Sequence, residues 1–395
     1  MIPYGRQNIS DDDIEAVTAV LKSDFLTQGQ AVPAFEQAVA SKTGAGFALA
    51  TNSATSALHI ACLALGLQSG DLLWTTPITF VASANCARYC GADVDFVDID
   101  PATGNMSPAA LKEKFITAEK NGRLPKVIVP VHLCGQSCDM AAISALARHY
   151  GCHIIEDASH AIGGQYQNEP VGCGRFSDIT VFSFHPVKII TTGEGGMALT
   201  NSAELAHKMA LYRSHGISRD EVDMTEASHG PWYYQQTLLG FNYRMTDIQA
   251  ALGLSQLTRL DSFVLQRREL AAFYDTLLAD VDVTPLTQLP DSGSAWHLYV
   301  VQIDNVQGTA AANRKEVFNY MREQGVGVNV HYIPVHLQPY YRNLGFSAGD
   351  YPAAEDYYRK ALTIPLYPDL TTEQQRYISA TLIAALAGRS GVEPG

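Results

Sequence analysis

The chain has 395 residues, of which 47% are hydrophobic and 17% are charged, a composition typical of folded globular proteins and unlike that of disordered chains. Its formal net charge of −13 argues against general nucleic-acid binding, because an acidic surface repels phosphate backbones. No apolar run approaches the roughly 18 residues of a transmembrane helix, and the first residues lack the apolar core of a secretory signal. We therefore expect a cytoplasmic protein that binds neither nucleic acid nor membrane.

The first half of the chain alternates short apolar runs with segments of helical pattern. The runs are FALAT (47–51), DLLWTT (71–76), VDFVDI (94–99), KVIVPV (126–131), CHIIED (152–157), ITVFSF (179–184) and GMALT (196–200). This alternation predicts βαβ units and a mostly parallel sheet with helices on both faces. Only eleven residues separate the last two runs. Because that is too short for an ordinary crossover helix, we expect this pair to be antiparallel.

The second half of the chain is predicted to be more helical. Apolar residues recur at helical spacing from Thr246 to about residue 280, and a smaller α+β part follows. Its predicted elements are strands near 298–303 and 326–332, a helix near 371–387 and a disordered tail, SGVEPG. We predict two domains that pack as one body, an N-terminal arm with a large domain (1–255) and a small C-terminal domain (256–395). Ligands of open α/β sheets bind beyond the carboxyl ends of the strands.

A run of small residues, TNSATSAL (51–58), follows the first predicted strand and begins a helix. Small side chains let backbone N–H groups approach an anion, and the helix dipole favours a phosphate there. Ser53 or Thr55 could equally serve as an ordinary N-cap that satisfies the first N–H groups of the helix. The segment alone leaves both interpretations open.

Asp157 ends the apolar run CHIIED and is followed by small residues. A buried carboxylate needs a partner, because an unpaired buried charge is costly. The partner could be the protonated ring nitrogen of a cofactor, or the carboxylate could cap the next helix. Both readings of Asp157 stay open at this point.

Lys188 lies 31 residues after Asp157, among apolar and β-branched residues and before the glycine-rich stretch TTGEGG. Burial lowers the pKa of a lysine and makes its neutral amine available for Schiff-base chemistry. The alternative is a lysine with a buried stem whose amine reaches solvent. Together, the phosphate-binding turn, the strand-end Asp and the later Lys match the phosphate, ring nitrogen and aldehyde of pyridoxal phosphate.

Longer motifs resemble the DegT/DnrJ/StrS family of pyridoxal-phosphate-dependent sugar-nucleotide aminotransferases. In chain order they are LTQG (26–29), NSATSAL (52–58), EDASHA (156–161), FSFHPVK (182–188), TTGEGG (191–196), GFNYRMTDIQAALG (240–253) and HYIPVH (331–336). The resemblance covers nearly the whole chain. It implies an α/β protein of fold type I, with a mostly parallel seven-stranded sheet in the large domain and a small C-terminal α+β domain.

The resemblance also implies roles for individual residues. Lys188 would form the Schiff base with the cofactor, Asp157 would pair with its pyridine nitrogen, and Phe80 would stack on its ring. His160 would lie beside the phenolic oxygen, where many relatives have Gln. The phosphate would be held by Ser53, Ala54, Thr55, Ser183 and, in trans from the second subunit of a homodimer, Asn242. The sugar nucleotide would be bound by Tyr4, Asp24, Phe25, Leu26, Thr27, His185, Asn329, Val330, His331 and Tyr332.

The implied reaction is a transamination in two halves. L-glutamate would give up its amino group and leave pyridoxamine phosphate, whose amine then reacts with a keto sugar carried on a nucleoside diphosphate. Lys188 would act as general base and acid for the proton transfers. With His at positions 160 and 185, the sequence resembles the pseudaminic-acid-pathway branch of the family. That branch aminates C4 of a UDP-linked 4-keto-6-deoxy-2-acetamido hexose, giving UDP-4-amino-4,6-dideoxy-N-acetyl-β-L-altrosamine.

Several alternatives compete with this reading. The sugar, the nucleotide or the aminated carbon could differ. A deoxysugar dehydratase of the same family would carry His in place of Lys188, and a non-catalytic regulator would usually lose one of Lys188, Asp157 and Phe80. Arg244 could contact a phosphate or a carboxylate through its forked guanidinium, or form a structural ion pair.

The cysteines and histidines do not form a metal motif. The seven cysteines are irregularly spaced and include no CxxC pair, so we expect neither a disulfide framework nor a bound metal. The residues of ligand type that come closest together in the sequence are His132, Cys134, Cys138, Cys152 and His153.

Overall fold

The computed structural model describes residues 1–303 and 313–388, so the predicted disordered tail lies outside the described residues. The strands are β1 (Phe47–Thr51), β2 (Leu72–Thr75), β3 (Asp93–Phe96), β4 (Val127–Val129), β5 (His153–Asp157), β6 (Gln165–Tyr166), β7 (Glu169–Pro170), β8 (Ile179–Ser183), β9 (Gly196–Thr200), β10 (Ile217–Ser218), β11 (Gln235–Gln236), β12 (Thr284–Pro285), β13 (Ser292–Gly293), β14 (Tyr299–Gln302) and β15 (Ala361–Ile364).

Helices account for most of the remaining regular structure. They are α1 (Asp11–Leu21), α2 (Ala31–Thr43), α3 (Ala54–Ala64), α4 (Ala82–Tyr89), α5 (Pro108–Lys120), α6 (Met140–His149), α7 (Ala203–Arg213), α8 (Asp247–Leu257), α9 (Leu260–Leu277), α10 (Arg314–Glu323), α11 (Pro339–Arg342), α12 (Pro352–Lys360) and α13 (Thr372–Leu386). Within the described ranges, no helix combines the length and the apolar character that crossing a membrane requires.

A seven-stranded sheet with the order β1-β9-β8-β5-β4-β2-β3 forms the centre of the large part of the molecule. Strand β9 is antiparallel to both β1 and β8, and the other neighbours are parallel. All seven predicted runs therefore form strands of one mostly parallel sheet, and the antiparallel pair is confirmed. Because β1, β2, β5 and β8 run in the same direction, their carboxyl ends meet at one edge of the sheet.

Local sequence signals set the ends of the helices between these strands. The Asp139 carboxylate accepts a hydrogen bond from the Ala142 N–H at 3.2 Å and caps α6, as its position before an apolar helical stretch predicts. Gly151 has a φ of 70° just after that helix, a conformation that glycine adopts readily. Helix α3 is likewise capped by Ser53, whose side chain accepts from the Ser56 N–H.

The small C-terminal part contains a three-stranded sheet with the order β12-β14-β15 and both pairs antiparallel. The predicted strand at 298–303 and the final helix are confirmed as β14 and α13. The predicted strand at 326–332 is wrong. Only single bridges form there, Val326 with Ile2 and Asn329 with Thr363, because the N-terminal arm takes up the hydrogen bonds around Val326.

The N-terminal arm runs along the small C-terminal part. The Ile2 N–H donates to the Gly325 carbonyl at 2.8 Å, and the Tyr4 carbonyl accepts from the Leu366 N–H at 3.1 Å. This path carries Tyr4 to the edge where the large sheet ends. The division into domains after residue 255 remains a prediction, and that residue lies inside α8.

Candidate active site

A cavity of about 600 Å³ lies at the carboxyl ends of β1, β5 and β8 and reaches the small C-terminal part. The three features that the sequence singles out, Ser53, Asp157 and Lys188, all line it. The other predicted site residues in its wall are Tyr4, Ala54, Thr55, Phe80, His160, Ser183, His185, Asn329, Val330, His331 and Tyr332. The topology therefore gathers groups that are far apart in the sequence.

One end of the cavity is formed by the start of α3 and the end of β8. The Ser53 hydroxyl accepts from the Ser56 N–H at 3.1 Å, so Ser53 does cap the helix. The N–H groups of Ala54 and Thr55 belong to the first turn and have no partner within the helix. Ser183 is paired across the sheet with Gly196, and a Cβ at Gly196 would overlap the backbone of Ser53 and Ala54. Glycine is thus required for this close approach.

Asp157 stands at the end of β5 with only 5% of its surface exposed. One carboxylate oxygen, Oδ2, accepts from the Ser83 hydroxyl at 2.6 Å, and Oδ1 accepts from the Ser159 N–H at 3.1 Å. In the described structure no helix begins directly after Asp157, since the next elements are turns and β6. Asp157 therefore caps a tight turn rather than a helix, and its carboxylate still borders the cavity.

Lys188 lies in the turn that follows β8, and its N–H donates to the His185 carbonyl at 2.9 Å. Burial lowers the pKa of its amine to about 8, while the negative charge of Asp157 acts in the opposite direction. Near neutral pH the Lys188 amine is then uncharged in a minor fraction of the molecules. This is the property that a lysine nucleophile needs, and the partly exposed Lys188 side chain lines the cavity.

His160 is held in one protonation state by its neighbours. The backbone N–H of Cys134 donates to Nδ1 at 3.3 Å, and the Tyr332 hydroxyl lies 3.2 Å from Nε2. Because a backbone N–H can only donate, Nδ1 must be unprotonated and Nε2 must carry the hydrogen. Burial, with smaller contributions from Lys188 and His331, lowers the pKa of His160 well below its ordinary value. His160 is therefore a neutral side chain with one N–H to donate.

The small C-terminal part contributes the opposite wall of the cavity. His331 is buried, and its Nδ1 lies 2.8 Å from the Thr363 hydroxyl. Burial lowers the pKa of His331 to about 3, so this side chain is neutral as well. The Tyr4 ring lies 5.5 Å from the His331 ring, and the Tyr332 ring lies 6.4 Å from that of Phe80. The wall is polar and aromatic rather than charged.

Five predicted residues lie outside this cavity. Residues 24–27 are exposed, with Phe25 at 61% and Leu26 at 46%. Asn242 is also exposed, and the nearby Arg244 donates to the Ser214 hydroxyl at 3.0 Å. Arg244 borders a separate cavity of about 220 Å³, together with Gly29, Glu36 and Arg213. Within a single chain, these residues do not reach the main cavity.

Three residues near the site were not foreseen from the sequence. His297 is 96% buried in the cavity wall, with its ring 4.5 Å from that of His160, and burial lowers its pKa well below the ordinary value. Thr79 lines the cavity, and Ser83 binds Asp157. No local sequence pattern indicates Ser83 or His297, because their partners Asp157 and His160 lie far from them in the sequence.

The histidines and cysteines near β4 and β5 are engaged in other contacts. His132 Nε2 lies 2.7 Å from a Glu156 carboxylate oxygen, and the Cys138 N–H donates to His132 Nδ1 at 3.2 Å. Within residues 1–303 and 313–388, no three His, Cys, Asp or Glu side chains are arranged to hold a metal ion.

Comparison with known proteins places this site in a family. A model of the DegT/DnrJ/EryC1/StrS aminotransferase family matches residues 7–383. The chain belongs to this family. The spore coat polysaccharide biosynthesis protein SpsC of Bacillus subtilis is 39% identical to this aminotransferase over 376 residues, 94% of each chain. The UDP-4-amino-4,6-dideoxy-N-acetyl-beta-L-altrosamine transaminase of Campylobacter jejuni is 36% identical over 387 residues, 98% of each.

A solved structure agrees with this assignment. Helicobacter pylori PseC, an aminotransferase involved in the biosynthesis of pseudoaminic acid, is 33% identical with a TM-score of 0.89, covering 98% of this chain and 100% of that chain. The predicted family, fold and enzyme class are thereby confirmed. The cofactor of this aminotransferase is pyridoxal phosphate.

The residues present fit that cofactor. The close approach at Gly196, which a Cβ would fill, brings the first turn of α3 next to the end of β8, and Ser53 and Ser183 both line the cavity. First-turn N–H groups of a helix are what a phosphate requires. A buried carboxylate suits a protonated ring nitrogen. A lysine with a lowered pKa suits an aldehyde. These donors and acceptors line one cavity, in an arrangement that can hold all three groups of the cofactor.

Proposed function

We propose that the protein transfers an amino group from L-glutamate to C4 of a UDP-linked 4-keto-6-deoxy-2-acetamido hexose. The product would be UDP-4-amino-4,6-dideoxy-N-acetyl-β-L-altrosamine, an intermediate of pseudaminic acid biosynthesis. The observation that carries the proposal is the joint placement of Asp157 and a low-pKa Lys188 in a cavity whose opposite wall is neutral and polar. Asp157 and Lys188 supply the groups that transamination needs, and the neutral opposite wall of the cavity suits an uncharged sugar.

Bound pyridoxal phosphate would supply an electron-accepting ring that carries the amino group between the two substrates. Lys188 holds the cofactor between turnovers and, once released, moves a proton at the reacting carbon through its Nζ. Asp157 would hold a proton on the ring nitrogen through its carboxylate. Ser53, Ala54, Thr55 and Ser183 would hold the phosphate, and the His160 N–H would donate to the phenolic oxygen.

The sugar is bound by the outer wall of the cavity. Tyr4, His185 and residues 329–332 present hydroxyl, imidazole and amide groups there. Because burial keeps His331 neutral at physiological pH, it can exchange hydrogen bonds with sugar hydroxyls without the cost of burying a charge. His185 is exposed and lines the same cavity. This position suits a residue at the entrance of the cavity, through which the nucleotide would pass.

The protein acts as a homodimer in this proposal. Asn242 and residues 24–27 are exposed. Large apolar side chains on the segment between α7 and α8 are also exposed, Trp232 at 72% and Leu239 at 78%. Exposed apolar groups concentrated on one segment favour an interface. A second copy would cover them, contribute Asn242 to the phosphate and bring residues 24–27 to the sugar nucleotide.

The choice of sugar rests on named relatives. The Campylobacter jejuni enzyme and Helicobacter pylori PseC both align over 98% of this chain. A second candidate is amination of another keto-sugar nucleotide, which is favoured by the 39% identity to SpsC, a protein named for spore coat polysaccharide biosynthesis. A dehydratase or an inactive regulator fits less well, because Lys188, Asp157 and Phe80 all line the cavity.

The test is a competition between keto-sugar nucleotides with L-glutamate as donor. A site that recognises the acetamido group leaves buried polar partners unpaired when a 2-hydroxy analogue binds. We expect the 2-acetamido sugar to be preferred at least about tenfold in kcat/KM, or about 1.4 kcal/mol. The configuration at C4 of the product is read by NMR. Preference for a dTDP-linked or 3-keto sugar would refute the substrate but leave the aminotransferase assignment intact.

A further inference from the structure

A pair of buried hydroxyl groups lies next to Asp157. Ser83 Oγ is 2.6 Å from Asp157 Oδ2, and Thr79 Oγ1 is 2.7 Å from Ser83 Oγ. Ser83 is 0% exposed and Thr79 is 2% exposed, so bulk water does not compete for these hydrogen bonds. The three side chains form a short chain of hydrogen bonds that ends on the carboxylate.

The direction of each hydrogen bond follows from the chemistry of the groups. An ionised carboxylate only accepts, so Ser83 must donate its single hydroxyl hydrogen to Asp157. The Ser83 oxygen then accepts from Thr79, which must be the donor of that pair. Both hydrogens point towards Asp157, and each bond strengthens the next.

The same turn of chain also carries Phe80. The Ser83 N–H donates to the Phe80 carbonyl at 3.3 Å, and Phe80 and Asp157 both line the cavity. The second carboxylate oxygen is fixed by the Ser159 N–H. With one donor on each oxygen, the carboxylate cannot rotate without breaking a hydrogen bond. Its plane is therefore set relative to the Phe80 ring.

We propose that Ser83 is a positioning residue for Asp157. Its hydroxyl, itself oriented by Thr79, fixes the carboxylate in the orientation that pairs with the pyridine nitrogen. The inference rests on the proposed role of Asp157 at that nitrogen. Ser83 is fully buried, and it acts on the reaction only through the carboxylate.

Three substitutions at residue 83 distinguish the effect of losing the hydroxyl group from the effect of changing the side-chain volume. Ser83→Ala removes the donor and is expected to weaken pyridoxal phosphate binding about tenfold, since a hydrogen bond to a buried charge is worth that much or more. The glutamate half-reaction should slow by about the same factor, with KM for the sugar nucleotide changed less than about twofold. Ser83→Cys keeps the volume but has a weak donor and should resemble Ser83→Ala. Ser83→Thr keeps the hydroxyl and should stay within about threefold of wild type.

Cofactor affinity is measured by titrating the apoprotein with pyridoxal phosphate and following visible absorbance, and folding by the melting temperature of each apoprotein. Thr79→Val leaves the Ser83 hydrogen on Asp157, so its loss of affinity should be smaller than that of Ser83→Ala. A purely structural role predicts a lower melting temperature with unchanged affinity, and that result would overturn the proposal. So would a Ser83→Thr variant that is as impaired as Ser83→Ala but melts normally.

The decisive comparison uses Asp157→Asn as a second background. If Ser83 acts through the carboxylate, Ser83→Ala should add less than about a threefold loss there, because the two substitutions remove one shared interaction. Full additivity would contradict the proposal. If Asp157→Asn alone changes nothing, the proposed role of Asp157 fails and the inference fails with it. If Asp157→Asn impairs the half-reaction but Ser83→Ala does not, only the positioning role fails.

Discussion

The inner and outer ends of the cavity are built in different ways. The inner end takes Asp157, Ser83 and Lys188 from one sheet and its adjoining helix, and the first two are at least 95% buried. The outer end takes its groups from the N-terminal arm, the small C-terminal part and the exposed His185. The proposed second subunit would add the exposed Asn242. We therefore propose that a buried, hydrogen-bonded interior sets the reaction type and that an assembled entrance sets the substrate.

Removing the lysine from the inner end should have the largest effect. Lys188→Ala is expected to lower turnover by at least about 10⁴-fold, the upper range for a lost general base. Lys188→Arg should fail as well, because a guanidinium stays protonated and is not a nucleophile. Single-turnover kinetics with L-glutamate measure the effect, with circular dichroism to confirm folding. Substantial residual turnover in Lys188→Ala would show that another group performs the chemistry.

Neutralising the carboxylate at the inner end should have the next largest effect. Asp157→Asn is expected to bind the cofactor at least about tenfold more weakly, as Ser83→Ala does, and to slow the glutamate half-reaction by about 10²- to 10³-fold, because an amide cannot stabilise the protonated ring nitrogen. Stopped-flow absorbance gives the rate of that half-reaction. A nearly normal rate would reduce Asp157 to the cap of the turn that Ser159 closes.

The outer end is tested by mixing two inactive proteins. In the proposed homodimer, a hybrid of Lys188→Ala and Asn242→Ala subunits contains one site with both residues intact. Random mixing makes half of the dimers hybrid, so about a quarter of wild-type activity should return. Mass spectrometry of the intact dimers confirms that hybrids form. A fully active monomer, or verified hybrids without activity, would contradict the trans contribution of Asn242.

The charge of Asp157 should also be visible in the pH dependence of cofactor attachment. Burial lowers the pKa of Lys188 to about 8, and the negative charge of Asp157 raises it from the value that burial alone would give. The rate of pyridoxal phosphate incorporation into the apoprotein should therefore rise with pH and level off above about 8. Asp157→Asn removes the opposing charge and should move that midpoint to lower pH. An unchanged or higher midpoint would show that the two groups do not interact.

The sequence predicted the inner end better than the outer end. All seven apolar runs became strands of one sheet, and the carboxyl ends of its co-directional strands bring Ser53, Asp157 and Lys188 together. Ser83 was missed because its partner lies 74 residues away, beyond the reach of any local pattern. The strand predicted at 326–332 failed because the apolar pattern does not reveal that the N-terminal arm binds there.

Lys188 is the residue that we propose to hold the cofactor at the inner end. Borohydride reduction of the holoenzyme fixes the cofactor to the lysine that binds it, and proteolysis with mass spectrometry identifies the modified peptide. We expect the label on Lys188, in the peptide that contains FSFHPVK, and we expect prior treatment with L-glutamate to prevent labelling. Labelling of a different lysine, or labelling that L-glutamate does not affect, would contradict this proposal.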